Sequence, residues 1–242
     1  MALSHVMRAS LATHWSLIMT RKTLFITGAS TGIGAATARA AVASDWNVGL
    51  MARSTDKVAA LAEEFGGAAL ALPGDVTDLA TQEQALLALQ EAFGSVDAAF
   101  ANAGMGANAP GTEAGDPKEW ADLVQLNIMG LLYTAKAALP YLRQSTGHMV
   151  LTGSIAGRRH VKGSIYGATK WFVHGFAGNL AEEMADWSGR CTVIAPGMVD
   201  TPFFDAPKPE KLQPEDVAEA VMLALNAHPR NAVREVVLMP TQ

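Results

Sequence analysis

A chain of 242 residues, half of them apolar and only 17% charged, has enough apolar mass for a large buried core. A formal net charge of −5 without a long basic run argues against nucleic acid as the main partner. The single cysteine, Cys191, excludes an internal disulfide framework and a thiolate metal centre, and the six histidines form no metal-spaced pair. No metal is expected, Cys191 reads as a small buried residue, and the setting reads as reducing and cytoplasmic.

Residues 1–20 carry little charge before Met19-Thr20-Arg21-Lys22. Leu11 to Met19 is mixed apolar and polar, no apolar stretch approaches the ~20 residues of a membrane span, and no convincing signal-peptide cleavage site follows. They read as a disordered N-terminal extension, with Met19 as an alternative start. Residues 21–242 read as one domain.

From Thr23 onward, apolar runs of strand length alternate with stretches of helix length. Strands are predicted at Thr23–Thr27, Asn47–Met51, Ala68–Leu72, Ala98–Ala101, His148–Thr152, Thr192–Ala195 and Glu235–Leu238. Helices are predicted at Gly32–Ser44, Thr55–Phe65 and Leu79–Phe93, then from Asp116, over Ser164–Asp186, and from Pro214. Asp116-Pro117-Lys118-Glu119 gives its helix a capping carboxylate, a proline at the first position and a glutamate three residues past the cap. On the helix through Tyr166, Ile165, Phe172, Phe176, Leu180 and Met184 are expected to supply much of the buried face. Strict alternation predicts an α/β fold, a Rossmann-type doubly wound parallel sheet with helices on both faces. The Pro-rich stretch Pro202 to Pro214 reads as a surface loop beyond a strand's carboxyl end, where such sheets bind ligands.

The turn Thr27-Gly28-Ala29-Ser30-Thr31-Gly32-Ile33-Gly34 joins the first strand to the first helix. A pyrophosphate there needs close backbone approach and the free N–H groups of a helix start. The spacing differs from Gly-x-Gly-x-x-Gly, and a tight turn without a ligand would also use glycines. At the end of the second strand stands Ala52-Arg53-Ser54, where a carboxylate would select NAD. Arg53 can fork onto a 2′-phosphate, which predicts NADP(H), although a solvated arginine is the plainer alternative. Asp75-Val76 follows the third strand, where the carboxylate can meet an adenine amino group or cap a helix. Asn102-Ala103-Gly104 follows the fourth strand, and its glycine permits close approach to a cofactor.

Tyr166 and Lys170 lie one helical turn apart, and Ser154 ends the fifth strand. An ammonium beside a phenol stabilises the phenolate, so Tyr166 can exchange a proton with an alcohol oxygen as hydride moves. Ser154 can hold that oxygen, and Asn127 can anchor a water beside Lys170.

These motifs resemble the short-chain dehydrogenase/reductase family in its NADP-preferring branch, over roughly Lys22 to Gln242. The likeness rests on Gly28…Gly32-Ile33-Gly34, on Asn102-Ala103-Gly104, on Asn127, Ser154, Tyr166 and Lys170, and on Pro196-Gly197 after the sixth strand. It implies strand order 3-2-1-4-5-6-7, with Val199 and Thr201 near the nicotinamide carboxamide. It also implies a homotetramer or homodimer packed through the helices of Asn127 and Tyr166. Gly153 stands where many relatives carry a second serine, Trp171 is bulkier than usual, and the loop from Met198 to Pro214 is short. The ending Arg234 to Thr241 resembles a subgroup acting on 3-hydroxy acids and small alcohols. The expected partner is thus a small carbonyl or alcohol substrate, with no nucleic acid and no membrane. A 3-oxoacyl thioester reductase would use Arg158, Arg159, His160 and Lys162 as a docking patch, although these also read as a solvated loop. A non-catalytic NADP(H)-binding sensor is the alternative of another class.

Overall fold

The computed structural model of the protein describes residues 21–107, 111–204 and 206–241. The extension read at residues 1–20 lies outside them. Among the described residues, seven strands form one sheet: β1 Thr23–Thr27, β2 Asn47–Ala52, β3 Ala69–Pro73, β4 Ala98–Ala101, β5 His148–Thr152, β6 Arg190–Pro196 and β7 Glu235–Leu238. The order is β3-β2-β1-β4-β5-β6-β7 and every pairing is parallel. The helices are α1 Gly32–Ala43, α2 Thr55–Phe65, α3 Leu79–Phe93, α4 Pro117–Val124, α5 Leu131–Ser145, α6 Ile165–Ala185 and α7 Pro214–Leu225. This is the Rossmann-type doubly wound sheet that the alternation predicts.

Both faces of the sheet are covered, which is why β1 reads as an unbroken run and is buried at every residue. Successive side chains still point opposite ways. Leu24, Ile26 and Leu50 pack with Ala38 of α1, Leu61 of α2 and Val221 of α7. Phe25, Met51 and Met149 pack with Leu86 of α3, Leu142 of α5 and Leu180 of α6.

Two local readings change. The helix opening at Asp116 is interrupted, since Gln125–Gly130 forms a π-helical turn between α4 and α5. On α6 the buried stripe is Val173, Ala177, Leu180, Ala181 and Met184, whereas Ile165, Phe172 and Phe176 are only half-buried. Small alanines let the helix lie flat on the sheet, and the large rings move to the next stripe. There Phe172 and Phe176 stack 5.9 Å apart.

The caps hold these elements in place. The Asp116 carboxylate accepts from Lys118 N at 2.9 Å, and the Ser164 hydroxyl accepts from Gly167 N at 2.9 Å. The chain leaves β1 toward β2 on one side and returns from β3 to β4 on the other. That reversal opens a crevice at the carboxyl ends of β1 and β4.

Candidate active site

A cavity of about 620 Å3 occupies the crevice and extends over the strand ends from β2 to β6. Gly28, Ser30, Thr31, Gly32 and Ile33 line one end of it. Gly28 and Gly32 have φ of 66° and 53°, in the left-handed region that glycine tolerates. A Cβ on Gly28 would also come within 2.9 Å of Ala103 Cα. Thr31 precedes α1 without making a side-chain cap bond, and the first turn holds no acidic residue. The leading N–H groups of α1 are therefore free to meet an anion, and the helix dipole favours one. Gly34 stands behind this wall, where a Cβ would lie 2.2 Å from the Gly28 carbonyl oxygen. It sets how closely α1 seats against the turn.

Arg53 is exposed and reaches the cavity with Ala52 and Ser54 beside it. Asp75 and Val76 line the cavity next to them. Asp75 is not a helix cap. Its Oδ1 accepts from Thr77 N at 2.9 Å and Thr77 Oγ1 at 2.8 Å, while Asp78 caps α3. The residues present thus fit a phosphate-bearing nucleotide: a cradle without side chains, an uncapped helix end and an unobstructed guanidinium.

Asn102, Ala103 and Gly104 line the centre of the cavity. Asn102 is a clamp between strands. Its N–H donates to Thr27 Oγ1 at 3.0 Å, its Nδ2 donates to Thr27 O at 3.1 Å and Gly28 O at 3.3 Å, and its Oδ1 accepts from Thr152 Oγ1 at 3.2 Å. Asn127 sits in the π-helical turn and stays out of the wall. Its Oδ1 accepts from Met105 N at 2.9 Å, and its Nδ2 donates to Met105 O at 2.9 Å and Thr169 Oγ1 at 3.2 Å. That side chain fixes the loop after β4. A wider helical turn of this kind often marks a functional position.

Ser154, Tyr166 and Lys170 converge at the carboxyl end of β5. Lys170 is 6% exposed, and its Nζ donates to Thr152 O at 2.7 Å. Nζ lies 5.7 Å from the centre of the Tyr166 ring. Burial lowers the ammonium pKa to about 8. The Tyr166 phenol is pushed above its usual value by burial, opposed by a hydrogen bond with the Ser154 side chain. Burial is the larger of these two influences on the phenol.

The Ser154 backbone rests on a residue that the sequence reading passed over. His174 Nε2 lies 3.2 Å from Ser154 O, and Nδ1 lies 3.3 Å from Glu235 Oε1. Glu235 is gripped by two N–H donors of Arg158. Burial, then Arg158 and Lys170, push the imidazole pKa down, while the Ser154 carbonyl pulls it up. The ring fits because its neighbours are glycines. A Cβ on Gly153 would lie 2.8 Å from Nε2, and one on Gly157 would lie 2.6 Å from Cδ2. This accounts for a glycine at 153.

After β6, Pro196, Gly197, Val199 and Thr201 line the far wall. Gly197 N donates to Leu238 O at 2.7 Å, Val199 bridges to Leu212, and the Thr201 side chain closes on Gly32. The loop read as surface contributes more than expected, because Pro202, Phe203 and Phe204 also line the cavity. Phe203 packs against Tyr166 with ring centres 5.6 Å apart. Two adjacent aromatics in a proline loop were the available signal. Cys191 lies elsewhere, buried in β6 with its thiol pushed up to about 12 by desolvation. Among the described residues no group of three His, Cys, Asp or Glu side chains could hold a metal, and no helix is long and apolar enough to cross a membrane.

The chain is 36% identical over 229 residues to an uncharacterized oxidoreductase of Staphylococcus aureus, covering 92% of this chain and 99% of that one. The structure of an alcohol dehydrogenase from the archaeon Thermococcus sibiricus, complexed with 5-hydroxy-NADP, superposes with a TM-score of 0.85 at 30% identity, covering 91% and 97%. A 3-ketoacyl-(acyl-carrier-protein) reductase from Brucella melitensis, complexed with NADH, gives 0.84 at 25% identity, also covering 91% and 97%. The family model described as short chain dehydrogenase matches residues 22–211. The chain therefore belongs to the short-chain dehydrogenase family of oxidoreductases.

Proposed function

We propose that the protein is an NADP(H)-dependent oxidoreductase that interconverts a carbonyl and a secondary alcohol on a small molecule. One observation carries this reading: Ser154, Tyr166 and Lys170 share a cavity with the uncapped start of α1 and with Arg53. When bound, the dinucleotide supplies or accepts the hydride. Gly28 to Ile33 would hold its pyrophosphate, Arg53 its 2′-phosphate and Asp75 its adenine.

In the reducing direction Ser154 and Tyr166 hold the carbonyl oxygen. Burial keeps the phenol protonated, so it is loaded as an acid. It gives its proton to the oxygen as negative charge develops there. The Lys170 ammonium, fixed by the Thr152 carbonyl, stabilises the phenolate left behind. In the oxidising direction the phenolate takes the alcohol proton. Asn127 acts one step back, by pinning Met105 and Thr169 beside the cavity.

Tyr166→Phe tests the reading. Turnover of ketones should fall by roughly 1,000-fold while NADPH affinity stays within about twofold. Unchanged turnover would remove the phenol from the mechanism. The sensor alternative loses ground because both the phenol and the amine are present in the cavity. The acyl-carrier alternative loses one cation, since Arg158 is tied to Glu235.

Trp171 is exposed and Phe172 and Phe176 are half-buried on α6, and Val124 is exposed on α4. These surfaces support a homodimer or homotetramer packed through the helical segments that contain Asn127 and Tyr166. Light scattering that gave a monomer mass would count against it.

A further inference from the structure

We infer that the substrate is an uncharged carbonyl compound bearing a flat apolar group, and that this group packs on Phe203. The inference rests on the oxidoreductase reading above and names the substrate of the same site. Around Tyr166 the cavity wall is built from Met105, Gly106, Ile155, Met198, Phe203 and Phe204. Among the described residues, the charged side chains lining the whole cavity are Arg53, Asp75 and Lys170. Arg53 and Asp75 follow β2 and β3, away from the end of β5 where Tyr166 sits. Lys170 is spent on the Thr152 carbonyl and on the phenol. A carboxylate brought in beside the reacting carbon would lose its water and meet no cation in this wall.

Two cations outside the wall are engaged as well. Arg158 holds Glu235, and Lys208 Nζ sits 5.0 Å from the centre of the Phe204 ring. A 3-hydroxy acid, the substrate type suggested by the likeness of the C-terminal segment, would meet no free cation in the wall beside Tyr166.

Phe203 is placed to receive an apolar group. Its ring tilts 59° against Tyr166 and touches Gly106, where a Cβ would lie 2.8 Å from the ring. Gly106 therefore lets the ring approach the loop after β4. Phe204 meets Phe203 edge-on at 5.2 Å, and Lys208 covers Phe204. Even so, Phe203 remains 42% exposed at the cavity wall. A ring held on one side and bare on the other offers a flat group an offset or edge contact beside the phenol.

The test compares matched substrates with the full-length protein and NADPH. Ethyl 3-oxobutanoate and its free acid differ in the charge and the ester group. The ester should show a kcat/KM at least ~100-fold higher. Equal or faster turnover of the acid overturns the inference and leaves the oxidoreductase reading standing. Phenylacetone should be preferred to acetone, and both Phe203→Ala and the milder Phe203→Leu should shrink that preference roughly fivefold, mainly through KM. A preference unchanged in both folded variants overturns the role of Phe203. If the protein binds NADPH but turns over no ketone or alcohol of either kind, the oxidoreductase reading falls and this inference with it.

Discussion

Gly34 does not touch the cavity, yet replacing it with alanine should weaken cofactor binding. The added methyl would stand 2.2 Å from the Gly28 carbonyl oxygen and 2.9 Å from Asn102 Nδ2. Ordinary contact needs ~3.5 Å, so helix and turn must separate by roughly 1 Å. The neighbour is backbone, in a turn already tied to Asn102 by a 3.3 Å bond, so no side chain can swing aside. Overpacking of this kind costs ~1–3 kcal/mol of stability. The larger effect is on geometry. Gly28 and the start of α1 move apart, and a misplacement of ~1 Å can cost ~100-fold where several groups must act together. Titration of Gly34→Ala with NADPH, followed by nucleotide fluorescence, should show affinity at least ~10-fold weaker, in a protein that still melts cooperatively. Affinity within twofold of the parent would refute the idea that this glycine sets the spacing of the anion cradle.

Three further outcomes follow from the same geometry. Arg53→Glu should reverse the coenzyme preference toward NADH, because a carboxylate repels a 2′-phosphate and accepts from a ribose hydroxyl; competitive binding of the two coenzymes measures it, and an unchanged ratio counts against the assignment. The Lys170 ammonium is present below its pKa of about 8 and lost above it. Ketone reduction, followed as kcat/KM for NADPH, should therefore decline as pH rises through about 8, and Lys170→Met should be both slower and flat; a parent profile without that limb would sink the electrostatic role. Gly153→Ser should destabilise by ~1–3 kcal/mol in thermal or urea unfolding, because the new side chain meets His174 Nε2 and Val193 Cγ1. His174→Ala should restore part of that loss in the double variant, and purely additive effects would show that the two positions do not share space.

What could be read from the chain was what local chemistry decides. An unbroken apolar run such as Leu24 to Ile26 belongs to a doubly covered strand, and Asp116-Pro117 marks a helix start. Tyr166 and Lys170 sit one turn apart on any helix, so their pairing needed no tertiary information. Other features depend on partners far along the chain. The π-helical turn at Asn127 bears no local mark, and it is explained by the Met105 backbone that its side chain must reach. His174 bears no local mark either, because its partner Glu235 lies on β7, which the sheet order brings beside β6.

The same distinction separates the reaction from its substrate. The proposed proton transfer is legible because Tyr166 and Lys170 stand together with Ser154 at a strand end and a glycine turn upstream, although the pair alone would also suit an ordinary helix surface. Substrate choice depends on which apolar side chains close around the phenol, and an apolar residue in a loop can serve packing, solvent contact or recognition alike. Phe203 acquires its meaning from Gly106, nearly a hundred positions earlier, whose missing side chain lets the ring lean over the site. Gly153 and His174 make the same kind of pair: the glycine looks like a lost serine until the imidazole is seen to fill its room. In this chain the glycines that shape the site are therefore best read as the space taken by a named neighbour.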